Sequence, residues 1–179
     1  MLLVTQLQAV IPFLKAAKAT GFAGKFPIYM HTATELSTLK ALGPDAPEGV
    51  LGTANYYYYY PDTPANKAFV KEFKDRYKRE PAVGAFYGYL TAHFVEQAYQ
   101  KAGKIDKEKF IDALEGMTVK SPLGNVTMRA FDHQAVLPMF MGVTKKSADV
   151  PYLVASEIVT IPGAEAMPSV DDVKKARAK

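Results

Sequence analysis

The chain has 179 residues, with 49 % hydrophobic and 22 % charged residues, enough for a domain-sized core and an ordinary globular balance. Its net charge is +4, but the 22 basic residues are spread along the chain and its C-terminal stretch instead of forming one block, which argues against a nucleic-acid partner. It has no cysteine, which excludes disulfides and thiolate chemistry, and no run of ~18 apolar residues of the kind that spans a membrane.

The first segment, Leu2 to Gln6, reads as a strand buried on both faces. Met1 to Gln6 is too short and uncharged to be a signal peptide, and a chain that opens on a core strand reads as a piece of a longer one. Ala9 to Thr20 has helical spacing, with Val10, Phe13, Leu14 and Ala17 on one face and Pro12 expected in the first turn. Gly21 is a stop signal. Phe26 to Met30 is a second apolar strand, Glu35 to Leu42 a short helix closed by Gly43-Pro44, and Gly49 to Thr53 a third strand. Strand, helix, strand, helix, strand in that order implies right-handed crossovers and a parallel sheet.

Five tyrosines follow, Tyr56 to Tyr60, ended by Pro61-Asp62-Thr63-Pro64. Their β propensity predicts an extended segment with alternating faces, and the proline pair predicts a turn after it. Three helices come next: Asn66 to Arg79, broken by Glu80-Pro81; Val83 to Ala102, ended by Gly103; and one capped by Asp106, with Phe110, Ile111 and Leu114 inward, ended by Gly116. Thr118 to Lys120, a Ser121–Gly124 turn and Asn125 to Arg129 read as a hairpin. Pro138 to Thr144 and Tyr152 to Thr160 are two further strands, and Val170 to Lys179 is a basic tail, helical or disordered.

No chemical motif of an enzyme stands out. Asp132-His133-Gln134 sits near no G-x-S-x-G or other nucleophile motif and reads as a turn. His31, His93 and His133 lack metal-ligand spacing, so neither catalytic residues, metal ligands nor a cofactor are expected. Ligands of open α/β sheets gather at the carboxyl ends of the strands. Here those ends carry Gln6 and Leu7 after the first strand, and His31, Thr32 and Thr34 after the second. His31 can donate or accept a hydrogen bond.

Several stretches, in this order, resemble the type I periplasmic binding proteins of the branched-chain-amino-acid kind: Phe13-Leu14-Lys15-Ala16-Ala17-Lys18-Ala19-Thr20-Gly21-Phe22; Ala46-Pro47-Glu48-Gly49-Val50; Pro64-Ala65-Asn66-Lys67-Ala68-Phe69-Val70; Glu80-Pro81 with Gly88-Tyr89; Lys101-Ala102-Gly103; Ala113-Leu114-Glu115-Gly116; and Pro122-Leu123-Gly124-Asn125-Val126-Thr127-Met128-Arg129. The resemblance implies two α/β lobes, each a three-layer parallel-sheet structure, joined by hinge strands and closing over a ligand. About half of such a receptor is present, so the fold is incomplete. Residues 1–54 would end lobe two, 55–60 form a hinge strand, 61–136 complete lobe one, 137–160 return to lobe two and 161–179 form a tail.

The function so implied is that of an extracytoplasmic solute receptor of an ABC importer, not an enzyme. Its partners would be a small polar or aromatic molecule (amino acid, carboxylate or amide) and a membrane permease, and its compartment the periplasm. A ligand-sensing domain of a receptor or regulator shares the fold and is the alternative; a small α/β hydrolase ranks last. In amino-acid-binding relatives an acidic side chain of the loop after the second strand holds the ligand ammonium, and by spacing His31 stands close to that place. If no acid faces the cleft, an amino acid gives way to a carboxylate, amide or aromatic acid. Phe86 and Tyr87 match a position where relatives place an aromatic wall. The expected ligand-binding set is Gln6, His31, Thr32, Phe86 and Tyr87, with Tyr56, Tyr58 and Tyr60 at the hinge. Uncovered strand edges predict self-association of the chain.

Overall fold

The structure, a computed structural model, describes residues 2–3 and 7–178. Its elements in chain order are β1 (Leu2–Leu3), α1 (Leu7–Ala19), α2 (Phe22–Lys25), β2 (Tyr29–His31), α3 (Leu36–Leu42), a 3-10 turn (Gly43–Asp45), β3 (Leu51–Ala54), α4 (Pro64–Tyr77), α5 (Val83–Ala102), α6 (Lys107–Leu114), β4 (Thr118–Ser121), β5 (Gly124–Arg129), β6 (Gln134–Val136), β7 (Met139–Lys145), β8 (Val154–Ile161), α7 (Gly163–Ala166) and α8 (Val170–Arg177). They fall into two compact units, Met1–Tyr57 with Met139–Ile161, and Tyr58–Pro138 with Pro162–Lys179. Among the described residues no helix is long and apolar enough to cross a membrane.

The first unit is built on one sheet, in the order β1-β2-β3-β7-β8. Pairing is parallel from β1 to β3, as the strand–helix alternation requires. The parallel expectation stops there: β7 runs antiparallel to β3, and β8 antiparallel to β7. For β8 the reason is connectivity. Between β7 and β8 there are only eight residues, too few for a crossover and enough for a hairpin. Val10, Leu14 and Ala17 of α1, with Leu39 and Leu42 of α3, pack on Ile28, Met30 and Val50 to form the core. Helix α1 starts at Leu7, so Pro12 lies beyond the first turn, contrary to expectation, and one helical carbonyl lacks its usual donor.

The second unit holds α4 to α8 and an antiparallel sheet of order β4-β5-β6. Helix α5 buries Phe86, Leu90, Phe94 and Ala98, a four-residue repeat that marks one face. Two side-chain caps start helices here: Thr63 Oγ1 accepts from Asn66 N at 3.2 Å, and Asp106 Oδ1 from Glu108 N and Lys109 N at 3.1 Å. The tail is helical over α8, and it belongs to this unit.

The tyrosine run is not a strand. Only Tyr57 and Tyr60 make isolated bridges, and Tyr58–Tyr59 is a turn. Nor do the faces alternate: Tyr56 and Tyr57 are both buried, and Tyr58, Tyr59 and Tyr60 are partly exposed. The Asn66 amide explains the turn. Its Nδ2 donates to both Tyr58 O and Pro61 O at 3.2 Å, so these carbonyls are claimed by a side chain. The chain passes from the first unit to the second within this run.

Candidate functional site

The loop after β2 carries the strongest chemical signal of the first unit. In the parallel register His31 stands opposite Thr53, and His31 Nδ1 and Thr53 Oγ1 are 2.7 Å apart. This bond orients the ring and leaves Nε2 for another partner. The next residue, Thr32, has φ 64°, a left-handed conformation that a β-branched residue adopts only under constraint. Two backbone bonds hold it there: Ala33 N donates to Met30 O, and Glu35 N to Thr32 O, both at 3.2 Å. Thr32 Oγ1 is buried with no hydrogen-bond partner among the described residues. A strained backbone with a buried unpaired hydroxyl is costly.

The rest of the loop faces inward. Tyr57 Oη donates to Thr34 Oγ1 at 2.7 Å, and burial pushes the Tyr57 phenol up to about 12. The Glu35 carboxyl, 4 % exposed, accepts the Asn55 N–H at 3.0 Å. Burial raises it from the usual 4.5 to about 7, with the Asn55 bond opposing. Glu35 was expected in the first turn of the next helix. It stands instead just before α3 with extended backbone, and its side chain reaches the chain after β3. Close approach of loop and strand needs Gly52, since a Cβ there would lie 2.9 Å from Thr34 N.

His31 and Thr32 are thus adjacent and locked. Gln6 lies outside the described residues. Phe86 and Tyr87 belong to the second unit, at the start of α5, with ring centroids 5.7 Å apart; Phe86 is fully buried, and Tyr87 is 38 % exposed. Tyr56 belongs to the first unit, where burial raises its phenol, and Tyr58 and Tyr60 to the second. Sequence reading missed the inward Glu35 and the Thr53 partner of His31. The signal for the second was available, because both residues end neighbouring parallel strands. Asp132-His133-Gln134 is indeed a turn leading into β6: His133 has φ 56°, its Nε2 is 3.0 Å from Glu115 Oε1, and Asp132 is bound to Arg129. His93 packs on Tyr89 at 4.3 Å.

Residues 1–149 match the family described as periplasmic binding protein. The chain belongs to that family. It is 30 % identical over 127 residues, 71 % of this chain and 32 % of the relative, to the leucine-, isoleucine-, valine-, threonine-, and alanine-binding protein of Pseudomonas aeruginosa. An ABC-type branched-chain amino acid transporter structure from Rhodopseudomonas palustris superposes with TM-score 0.70 at 26 % identity, covering 89 % of this chain and 48 % of that one. A solute-binding protein of an ABC transporter from the same species, in complex with 3,4-dihydroxybenzoic acid, gives TM-score 0.73 at 23 % identity, covering 86 % and 42 %. The chain therefore spans about a third of this curated relative and under half of these solved structures. The type I periplasmic-binding-protein fold is shared throughout, and two of these three proteins are named for binding a solute.

Proposed function

We propose that the chain is part of an extracytoplasmic solute receptor that serves the permease of an ABC importer, and that its ligand presents a carboxylate or amide, not an ammonium, to the loop after β2. The observation that carries the ligand class is Glu35. It is the one acid between β2 and α3, and it points inward, engaged with Asn55 N and protonated up to about pH 7. A buried, largely neutral carboxyl is a poor counter-ion for an ammonium. What the loop offers instead is His31 Nε2, on a part-exposed ring and suited to an oxygen-bearing group.

Family membership supports the receptor reading. The fold itself does not choose the ligand, since one relative is named for leucine, isoleucine, valine, threonine and alanine and another was solved in complex with 3,4-dihydroxybenzoic acid, so the side chains of the loop must decide. Tyr87, with its phenol partly exposed, is a second candidate contact, and the Tyr56–Tyr60 stretch is the proposed hinge. Calorimetric titration with 4-hydroxybenzoate, leucine and leucinamide tests the reading. 4-Hydroxybenzoate is expected to bind, and His31→Ala to weaken it about tenfold, the worth of one good hydrogen bond. Tight leucine binding that ignores His31→Ala would overturn it.

A further inference from the structure

The first unit has a second concavity, at the opposite end of its sheet. Segments 17–24, 43–48 and 146–153 line a cavity of about 560 Å³ that is open to solvent on one side. These segments precede β2, β3 and β8 or follow the antiparallel β7. The cavity therefore lies at the amino ends of the parallel strands, away from His31 and Thr32. Its volume is that of a small-molecule pocket.

Its construction is specific. Gly21, Gly24 and Gly43 line it, and a Cβ on any of them would meet nothing within 4 Å. Two of the segments thus withhold side chains where there was room for them. Gly21 and Gly43 need glycine for their positive φ, 70° and 53°, but Gly24 has no such need. Within the lining, Lys18 donates to Pro44 O and, at 3.1 Å, to Ala46 O. An ammonium has three N–H donors, so one remains. The lining carboxylate, Glu48, is already paired with Lys146 at 3.1 Å. Glu48 also feels the Lys18 charge, but two lysines against one carboxylate leave the lining with one net positive charge. The walls around it include Ala17, Ala23, Val150 and Leu153.

We infer that this cavity is a second small-molecule site, which takes a compact apolar body bearing one anionic group, the anion meeting the third Lys18 N–H. The inference is independent of the ligand proposed for the loop after β2, and the test separates the two by location. The protein labelled with ¹⁵N is titrated with cyclohexanecarboxylate, and with cyclohexanecarboxamide as the neutral control, while amide shifts are followed. Shifts at Gly21, Gly24 and Gly43 are expected for the carboxylate, with the carboxamide about tenfold weaker or more, as loss of a charge-assisted bond implies. Gly24→Phe should fill the space and abolish these shifts. Lys18→Met should weaken binding by about the same tenfold, and Lys18→Arg should restore most of it. If Gly24→Phe fails to fold, as judged by circular dichroism, the lysine pair decides. The inference is overturned if the three glycine amides do not move. It is equally overturned if carboxamide and carboxylate bind alike, or if shifts appear only at Thr32 and Thr34.

Discussion

A single buried carboxyl separates two readings of the ligand, and it also makes the protein's stability depend on pH. Glu35 is raised from 4.5 to about 7 in the folded chain because burial disfavours its ionised form. The folded state then holds a proton that the unfolded state releases. The stability this contributes is complete below about pH 4.5 and is lost as pH rises to about 7, in total about 3 kcal/mol. Glu35→Gln keeps an oxygen for Asn55 N and removes the titration. The variant is expected to match the wild type in melts at about pH 4.5 and to be the more stable by up to about 3 kcal/mol at about pH 8; a constant gap across that range would exclude the mechanism. Sequence reading placed Glu35 within one residue of its true position but could not orient it. Strand and helix periodicity order the backbone, whereas the choice between solvent and Asn55 N is made by a residue twenty positions on, which no local pattern contains.

The longer an element and the stronger its repeat, the more of it the sequence revealed. Helix α5 was legible from Val83 to Ala102 because its apolar residues recur every fourth position and Gly103 closes it with φ 73°. The tyrosine run misled for the opposite reason. β propensity measures how well a residue fits a pleated surface with strand neighbours, and here the carbonyls that would enter a ladder are bound by a side chain eight and five residues later. Asn66 is 2 % exposed, so its amide is an internal strut that holds the turn and, through its N–H on Thr63, the start of α4. Asn66→Ala leaves two carbonyls without that donor and is expected to cost about 2 kcal/mol. Chemical denaturation should show it as a lower midpoint with unchanged slope. Asn66→Asp, which replaces the donating amide by an acceptor, should cost at least as much, whereas a mere volume effect would spare it.

Over the whole molecule, the order of elements was readable, and it is the order that the family match and the superpositions share. Strand direction beyond β3 was not, because an alternating apolar strand looks the same run either way, and only the short β7–β8 connection discloses the hairpin. Charge behaves similarly: composition states a net +4 but not which pairs matter. Most ion pairs, such as Lys67–Asp62 and Lys71–Asp75, join exposed side chains and contribute little. Arg129–Asp132 differs. Arg129 Nε donates to Asp132 Oδ1 at 2.8 Å and a second guanidinium nitrogen to Oδ2, a two-pronged contact with the Asp132 side chain fully covered. The same guanidinium donates to Pro168 O at 2.8 Å, and Lys174 and Arg177 of α8 lie 5.3 Å from the Phe131 ring, so this pair anchors the C-terminal helices to the β5–β6 turn. The hydrogen bonds from Arg129 hold the Asp132 carboxyl below the usual range. Its contribution is therefore present above the ordinary carboxylate pKa and lost as pH falls through the lowered one, the reverse of Glu35. Raising salt should barely move the melting temperature, because screening acts on the exposed pairs that contribute least. Asp132→Asn should lower it at neutral pH, by an amount that shrinks as the wild type is acidified. Adding Arg129→Met to that variant should cost less than Arg129→Met does alone, since the pair is one interaction. Full additivity of the two substitutions would show that each acts through separate contacts.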